Sequence, residues 1–327
     1  MSNSPTVIIV APNWLGDAVM ALPAVRDVRR HFAEAHLVVA ARPSVAMLFR
    51  AVPGIDEIAE SASPGRTSGD IGILFPNSFR SAWELKRGGV RERWGYRSDM
   101  RGVLLTKAVK RPRKKVHFGE YYQHLVRQLG IETGPLTPQL TVPEGKVRAA
   151  ADLLARHGWT PGQTLVALAP GAAFGYAKRW PPKHFAALAS SLRNELGAAC
   201  VLLGRSEDRD DSDGPEEIEG IDLIGQTDLM MLMGVLSHCR ALVANDSGAL
   251  HLAAALGVPV TAIYGPTDER YSLPLSSFES PGDRVRAISR DVFCRPCGLR
   301  DCPIDHRCMK RIAAEDVFQL VRGQLQR

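Results

Sequence analysis

Residues 241–251 read Ala-Leu-Val-Ala-Asn-Asp-Ser-Gly-Ala-Leu-His, which predicts a buried strand, a polar turn and the first turn of a helix. Such a junction aims backbone N–H groups and the positive end of the helix dipole at one point, which suits a phosphate. Asp246 and His251 flank that point, so one loop offers an anion site, a carboxylate and an imidazole. The alternative is a structural junction in which Asp246 or Ser247 only caps the helix.

The same strand–helix alternation extends outward through the whole chain and predicts an α/β fold with parallel sheets. In the first half the predicted strands are Val7–Val10, His36–Ala40 and Ile71–Phe75, with helices at 18–32 and Ser44–Arg50. Pro23 is expected to kink the first helix or to mark its first turn. In the second half the strands are Leu165–Ala169, Ala199–Leu203, Ile221–Ile224, Ala241–Ala244 and Val260–Tyr264, and the helices are Pro182–Leu196, Leu229–Ser237 and Ala249–Leu256.

The alternation is interrupted once, which predicts two domains. A helix at Gly145–His157 is closed by glycine and proline, and a new strand follows it. We therefore place the domains at residues 1–160 and 161–327, two Rossmann-like units that face one another. The final helix, Ala314–Gln326, could pack on either unit. Open α/β sheets bind ligands at the carboxyl ends of their strands, so the central cleft is the expected site.

Composition narrows the class of protein. The chain has 327 residues, of which 45% are hydrophobic and 23% charged, the profile of a globular protein without a membrane span. No secretory signal is recognised, so we expect a cytoplasmic location. Six cysteines in a reducing compartment are not expected to form structural disulfides.

Positive charge is concentrated between Arg80 and Lys115. This basic block holds thirteen Lys or Arg and three Asp or Glu, a local balance of +10, whereas the whole chain carries +6. A concentration of this kind indicates a polyanionic partner, either nucleic acid, anionic lipid or a phosphorylated acceptor. The alternative is a solvated, mobile loop.

Polar groups follow three further predicted strands. Asp17 follows Val7–Val10 and is either a helix cap or a general base that removes a proton from an attacking hydroxyl. Lys178, after Leu165–Ala169, is placed to neutralise a diphosphate leaving group, unless it is an ordinary surface lysine. Glu207, after Ala199–Leu203, could bind ribose hydroxyls. No Asp-x-Asp metal motif lies near these loops, so lysine and backbone dipoles must balance the phosphate charge without Mg²⁺.

Three ordered motifs resemble a known family. They are Pro12-Asn-Trp-Leu-Gly-Asp-Ala-Val-Met-Ala-Leu-Pro23, Pro170-Gly-Ala with Ala177-Lys-Arg-Trp-Pro181, and Asn245-Asp-Ser-Gly-Ala-Leu-His251. Together they are similar to the ADP-heptose:lipopolysaccharide heptosyltransferases of glycosyltransferase family 9. The Asn-Trp-Leu-Gly-Asp form and the cysteine-rich tail most resemble the heptosyltransferase II branch.

The resemblance implies a GT-B fold and an inverting transfer of L-glycero-D-manno-heptose from ADP-heptose to the first heptose of the lipopolysaccharide inner core. The N-terminal domain would bind the acceptor, heptosyl-Kdo2-lipid A, and the C-terminal domain the ADP-sugar. A heptosyltransferase of type I or III, with another core acceptor or nucleotide sugar, is the alternative. No cofactor, metal or nucleic acid is implied, and the location would be peripheral at the inner face of the inner membrane.

The resemblance also implies roles for individual residues. Asp17 would be the catalytic base and Lys178 would act at the diphosphate. The implied donor-binding residues are Glu207, Asp246, Ser247, Gly248, His251, Ala172 and Ala173. The implied acceptor is polyanionic, so the basic block is expected to bind it. The predicted docking residues in this block are Arg93, Arg97, Arg101, Arg111, Arg113, Lys114 and Lys115.

Four cysteines near the C-terminus form a further pattern. Cys294, Cys297, Cys302 and Cys308 lie within fifteen residues, with His306 close by. This density resembles a zinc knuckle, although the spacing is not a standard one. The alternative is that thiols pack an acceptor-side loop, and the sequence leaves the two open.

Overall fold

The computed structural model describes residues 4–61, 63, 67–209, 218–275 and 284–326. The chain forms two compact units, Met1–Thr141 and Val142–Arg327. Each unit contains a six-stranded parallel sheet with α-helices between most successive strands. The predicted α/β class is therefore confirmed.

The sheet of the first unit has the strand order β3-β2-β1-β4-β5-β6. Its elements in chain order are β1 (Thr6–Val10), α1 (Leu15–His31), β2 (His36–Ala41), α2 (Pro43–Phe49), β3 (Glu57–Glu60), β4 (Ile71–Leu74), α3 (Phe79–Arg87), β5 (Glu92–Tyr96), β6 (Lys107–Val109) and α4 (Phe118–Gln128). Val7–Val10 are buried because helices cover both faces of the sheet. Pro23 lies inside α1, so the idea that it marks the first turn is wrong.

The sheet of the second unit has the order β12-β11-β10-β7-β8-β9. Its elements are α5 (Glu144–Arg156), β7 (Leu165–Ala169), α6 (Pro182–Leu196), β8 (Ala199–Leu202), β9 (Ile221–Asp222), α7 (Leu229–His238), β10 (Ala241–Asn245), α8 (Gly248–Ala255), β11 (Val260–Ile263), α9 (Glu269–Ser272), β12 (Val285–Ile288), α10 (Arg307–Lys310) and α11 (Ala314–Leu325). Every residue of β7 and of β10 is buried, as expected for central parallel strands.

The units divide after Thr141, earlier than the boundary at residue 160 that we drew from the sequence. The reason is α5, which packs against α7 of the second unit. Gly234 on α7 lies so close that a Cβ there would be 2.7 Å from the carbonyl oxygen of Lys146. The last helix, α11, also packs within the second unit, against α6, β10 and β11.

The basic block is largely ordered secondary structure and not a loop. It contains α3, β5, β6 and a 3-10 turn at Arg101–Leu104. The sequence analysis did not predict β5 and β6 because their charged residues obscure the apolar pattern of a strand. No helix in the described part of the chain is long and apolar enough to cross a membrane.

Candidate functional site

The second sheet changes winding direction between β7 and β10. From β7 the chain proceeds to β8 and β9 on one side, whereas from β10 it proceeds to β11 and β12 on the other. The loops that leave the carboxyl ends of β7 and β10 therefore diverge, and a crevice at such a point is where open α/β sheets bind ligands. Lys178 lies in the first of these loops and Asp246 in the second.

Lys178 and Asp246 form a buried ion pair although they are 68 residues apart in sequence. The Lys178 ammonium lies 2.6 Å from Oδ2 of Asp246, and the two side chains are 13% and 7% exposed. The Thr267 hydroxyl, in the loop after β11, donates to the same carboxylate oxygen at 2.7 Å. We name Lys178, Asp246 and Thr267 the donor cluster, after the role at the sugar donor that the sequence analysis expects of Lys178 and Asp246. Sequence reasoning placed the first two at strand ends but missed Thr267.

The helix α8 begins beside the donor cluster. Its N-cap residue is Ser247, whose side chain makes no capping hydrogen bond. Ser247 therefore occupies the N-cap position that the structural alternative gave to it or to Asp246, but its side chain does not cap the helix. Gly248 begins the helix and is half-buried, and His251 is buried in the same first turn. The first N–H groups of a helix have no intrahelical partner, so this end carries partial positive charge next to the Lys178 ammonium.

Asn245, at the end of β10, fixes the loop that carries Lys178. Its Oδ1 accepts the backbone N–H of Trp180 at 3.0 Å, and its amide donates to the carbonyl of Pro170 at 2.6 Å. One fully buried side chain thus holds both ends of the loop from 170 to 180. The signal that could have identified it is a polar residue inside an otherwise apolar strand.

The loop after β7 also packs against the loop after β8. A Cβ at Gly171 would meet the Asp208 carboxyl carbon at 2.2 Å, so only glycine fits there. Asp208 is 8% exposed and lies 3.7 Å from the Arg179 guanidinium. The predicted ribose contact, Glu207, is 70% exposed. Of the two predicted alanine sites in the same loop, Ala172 is buried and Ala173 is exposed.

The cysteine-rich segment, residues 292–308, forms hydrogen bonds with the loops that surround the donor cluster. Arg295 donates to the carbonyls of Gly265 at 2.9 Å and Thr267 at 3.2 Å, and it pairs with Glu269. Arg300 donates to the carbonyl of Phe174 at 2.7 Å, and its own carbonyl accepts the N–H of Ala177 at 2.9 Å. This segment therefore packs on the loops of the second unit that carry Phe174 and Thr267.

The four cysteines of this segment are free thiols. Cys297 is exposed and Cys308 is buried. Burial, followed by the neighbouring thiols of Cys302, Cys294 and Cys297, raises the pKa of Cys308. Within the described ranges, no group of three or more His, Cys, Asp or Glu side chains is arranged to hold a metal ion.

Asp17 lies at the corresponding place in the first unit, where the sheet changes direction between β1 and β4. It is half-buried in the first turn of α1, whose N-cap is Trp14, so the capping alternative for Asp17 is wrong. The Tyr122 hydroxyl on α4 donates a hydrogen bond to the Asp17 carboxylate. Burial first, and then the charge of Asp17, raises the pKa of Tyr122 well above its ordinary value.

The predicted docking residues fall into two groups. Arg97, Arg111, Arg113, Lys114 and Lys115 are exposed. Arg101 is fully buried and donates to the carbonyls of Tyr96, Pro76 and Ser78, so its assignment to docking is wrong. Arg93 is half-buried, and its guanidinium donates to the carbonyls of Leu104, Val90 and Arg91. Both arginines instead hold together the backbone of the basic block.

Comparison with known proteins identifies the family. Residues 65–306 match the family described as glycosyltransferase family 9 (heptosyltransferase), which is well over half of the chain. The chain belongs to glycosyltransferase family 9. It is therefore a glycosyltransferase, as the three motifs predicted.

Individual relatives agree with this assignment. The chain is 31% identical over 303 residues to lipopolysaccharide heptosyltransferase 2 of Escherichia coli, which covers 83% of this chain and 85% of that one. It is 27% identical to lipooligosaccharide heptosyltransferase 2 of Campylobacter jejuni, with 98% of each chain covered. The solved structure of E. coli ADP-heptose lps heptosyltransferase II superposes with a TM-score of 0.80 at 27% identity, covering 98% of both chains. The predicted GT-B fold and the likeness to heptosyltransferase II are thus confirmed.

Proposed function

We propose that this family 9 glycosyltransferase transfers L-glycero-D-manno-heptose from ADP-heptose to the first heptose of the lipopolysaccharide inner core, with inversion at the anomeric carbon. The observation that carries the proposal is the donor cluster. It contains a buried lysine–carboxylate pair that lies beside the start of α8, where the strand order of the parallel sheet reverses between β7 and β10. The names of the relatives, heptosyltransferase 2 in E. coli and C. jejuni, supply the sugar.

In this proposal the second unit holds the donor. The ammonium of Lys178 and the N–H groups of Ser247 and Gly248 balance the charge of the diphosphate, and Asp246 and His251 contact the sugar. Glu207 binds the ribose, and the backbone N–H groups of Ala172 and Ala173 approach the phosphates. A lysine and a helix N-terminus together can stabilise the negative charge that develops on the departing ADP.

Asp17 of the first unit is the proposed base. Its carboxylate takes the proton from the acceptor hydroxyl while that oxygen forms a bond to the anomeric carbon. The bond between that carbon and the diphosphate oxygen breaks, and ADP leaves with the electron pair. The reaction needs a carboxylate at this position, and the partial positive charge at the start of a helix favours a negative group there.

The test is a direct assay of the purified chain. Incubation with ADP-heptose and heptosyl-Kdo2-lipid A should add one heptose to the acceptor, detected by mass spectrometry. UDP- and GDP-sugars should give no product. Transfer to Kdo2-lipid A that lacks the first heptose would instead indicate a heptosyltransferase of type I, and transfer only to a longer core would indicate type III.

Tyr122 is expected to position the base. The Tyr122→Phe variant keeps the ring that packs 5.3 Å from Phe75 but removes the hydroxyl that donates to Asp17. Because a hydrogen bond to a carboxylate favours its ionised form, the acidic limb of the pH–rate profile should move to higher pH. We expect kcat at neutral pH to fall about tenfold, as for the loss of one charge-assisted hydrogen bond.

A purely structural role for Tyr122 would give a different result. The variant would then lower the melting temperature without moving the pH–rate profile. The matched control is Tyr121→Phe, which removes a neighbouring hydroxyl that donates to Asn77 and not to Asp17. That variant should leave the profile where it is.

The exposed cations after β6, at residues 111–115, are proposed to dock the acceptor. Arg97, which lies beside the preceding 3-10 turn, is proposed to dock it as well. Replacing Arg113, Lys114 and Lys115 by Gln should raise the KM for heptosyl-Kdo2-lipid A by about a hundredfold, because each of the three cations contributes about 1 kcal/mol near an anionic surface. The KM for ADP-heptose should stay nearly unchanged. The control variant carries Gln at Lys310 and Arg311, which are also exposed and lie in the second unit. Equal effects on both substrates would contradict the proposal.

The location of the enzyme follows from its proposed acceptor. A chain that acts on lipid A before export works in the cytoplasm, at the inner face of the inner membrane. The exposed cations would attract it to that anionic surface. Fractionation of cells should find the protein at the membrane at low ionic strength and release it at high ionic strength, because salt screens exposed charges.

A further inference from the structure

The solvent-facing side of α3 combines aromatic residues with cations. Phe79 and Trp83 are each 42% exposed, and they alternate with the exposed Arg80, Lys86 and Arg87. The other side of the helix, which includes Ala82 and Leu85, packs into the first unit. The one carboxylate on α3, Glu84, is 9% exposed and is paired with Arg80. The exposed face of α3 therefore carries no uncompensated negative charge.

A 3-10 turn next to α3 presents two further apolar side chains. Met100 is 91% exposed and Val103 is 87% exposed, values that apolar side chains in a folded protein seldom reach. Arg101 and Leu104, which alternate with them, are buried. The turn therefore directs Arg101 and Leu104 inward and the apolar side chains of Met100 and Val103 outward.

Three contacts fix this turn to the beginning of α3. The Arg101 guanidinium donates to the carbonyl of Ser78 at 3.3 Å and to the Ser81 hydroxyl at 3.4 Å. The Asp99 carboxylate accepts the N–H of Phe79 at 2.8 Å. Met100 and Val103 are consequently held beside the exposed face of α3, and they are not on a loose loop.

We propose that α3 and this turn form a membrane-docking face, with the side chains of Phe79, Trp83, Met100 and Val103 entering the headgroup region of an anionic phospholipid bilayer. Aromatic and aliphatic side chains bordered by Lys and Arg are the combination that binds the interface of such a bilayer. This inference rests on the proposed function only in that the acceptor is held in a membrane.

Charge argues for lipid over a second copy of the chain. In a two-fold dimer the same patch lies on both subunits, so Arg80, Lys86 and Arg87 would face their own copies. The interface would also bury Lys86 and Arg87, for which α3 offers no further carboxylate because Glu84 is already paired with Arg80, and burying such cations is costly. Anionic headgroups, in contrast, complement these cations and accept the apolar tips at the same time.

The test is sedimentation of the full chain with lipid vesicles, without donor or acceptor. The wild-type chain should bind vesicles of phosphatidylcholine with phosphatidylglycerol and bind pure phosphatidylcholine weakly. Met100→Ser combined with Val103→Ser should lower binding to the anionic vesicles by about tenfold, since two apolar insertions are lost. Lys86→Gln combined with Arg87→Gln should lower it by a similar factor and reduce its salt dependence.

The control is Ile304→Ser, an apolar residue 51% exposed in the second unit, which should bind vesicles like the wild type. Wild-type binding by the Met100/Val103 variant, or equal binding of the wild type to both vesicle types, would overturn the proposal. So would a wild-type dimer that the same variant converts to monomer. The Met100/Val103 variant should transfer heptose to a lipid-free heptosyl-Kdo fragment as well as the wild type does. If the wild type itself fails to transfer heptose to this fragment, the proposed function is contradicted, whereas the vesicle assay still tests the membrane-docking face.

Discussion

The Asp17→Asn variant should lose about a thousandfold in kcat and still bind ADP-heptose with nearly the wild-type affinity. A positioned general base contributes about 10²–10⁴-fold to such reactions, and asparagine has the shape of aspartate without its ability to take the proton. Because Asp17 is proposed to act on the acceptor hydroxyl and not on the diphosphate, donor binding should not depend on its charge. Calorimetric titration with ADP-heptose and steady-state assays measure the two quantities separately.

Two controls accompany this variant. Glu34→Gln removes an exposed carboxylate just after the same helix, α1, and should leave kcat unchanged. Thermal unfolding of Asp17→Asn should resemble that of the wild type, since the amide oxygen of the introduced asparagine can still accept the hydroxyl hydrogen of Tyr122. A variant that retains more than a tenth of the wild-type kcat would exclude Asp17 as the base.

The sequence was sufficient for the central strands and their crossover helices. β7 and α6 have the predicted bounds, because continuous apolar runs, glycine breaks and a Pro at the start of α6 are local signals. Of the four edge strands, β9 was predicted and the other three were not. β3, β6 and β12 have a neighbour on one side only, so their sequences carry charges that a buried strand would exclude.

The site shows the same division between local and long-range information. Lys178 and Asp246 were placed correctly because each follows a strand, and parallel strands bring their carboxyl ends to one edge. Thr267, Arg295 and Arg300 could not be assigned, because their roles depend on which distant carbonyl or carboxylate lies opposite. Arg101 was assigned to acceptor docking although it is buried. The sequence could not show this, because one cation in a basic block looks like the others whether it faces solvent or donates to backbone carbonyls inside the fold.

The Lys178→Met variant should combine a loss of activity with a loss of stability. Removing the cation that balances the diphosphate should lower kcat by about 10²–10³-fold, as for other preorganised groups that stabilise a leaving charge. It also leaves the Asp246 carboxylate, 7% exposed, with the Thr267 hydroxyl as its remaining side-chain donor. Breaking a buried ion pair in this way costs about 3 kcal/mol in the free energy of unfolding.

A double variant separates these two effects of Lys178. Adding Asp246→Asn to Lys178→Met removes the uncompensated charge, so the melting temperature should recover while kcat stays low. Lys183→Met, an exposed lysine in the first turn of α6, is the matched control and should change neither quantity. If Lys178→Met kept kcat within threefold of the wild type, the ion pair would be purely structural, and the diphosphate charge would have to be balanced by the start of α8 alone.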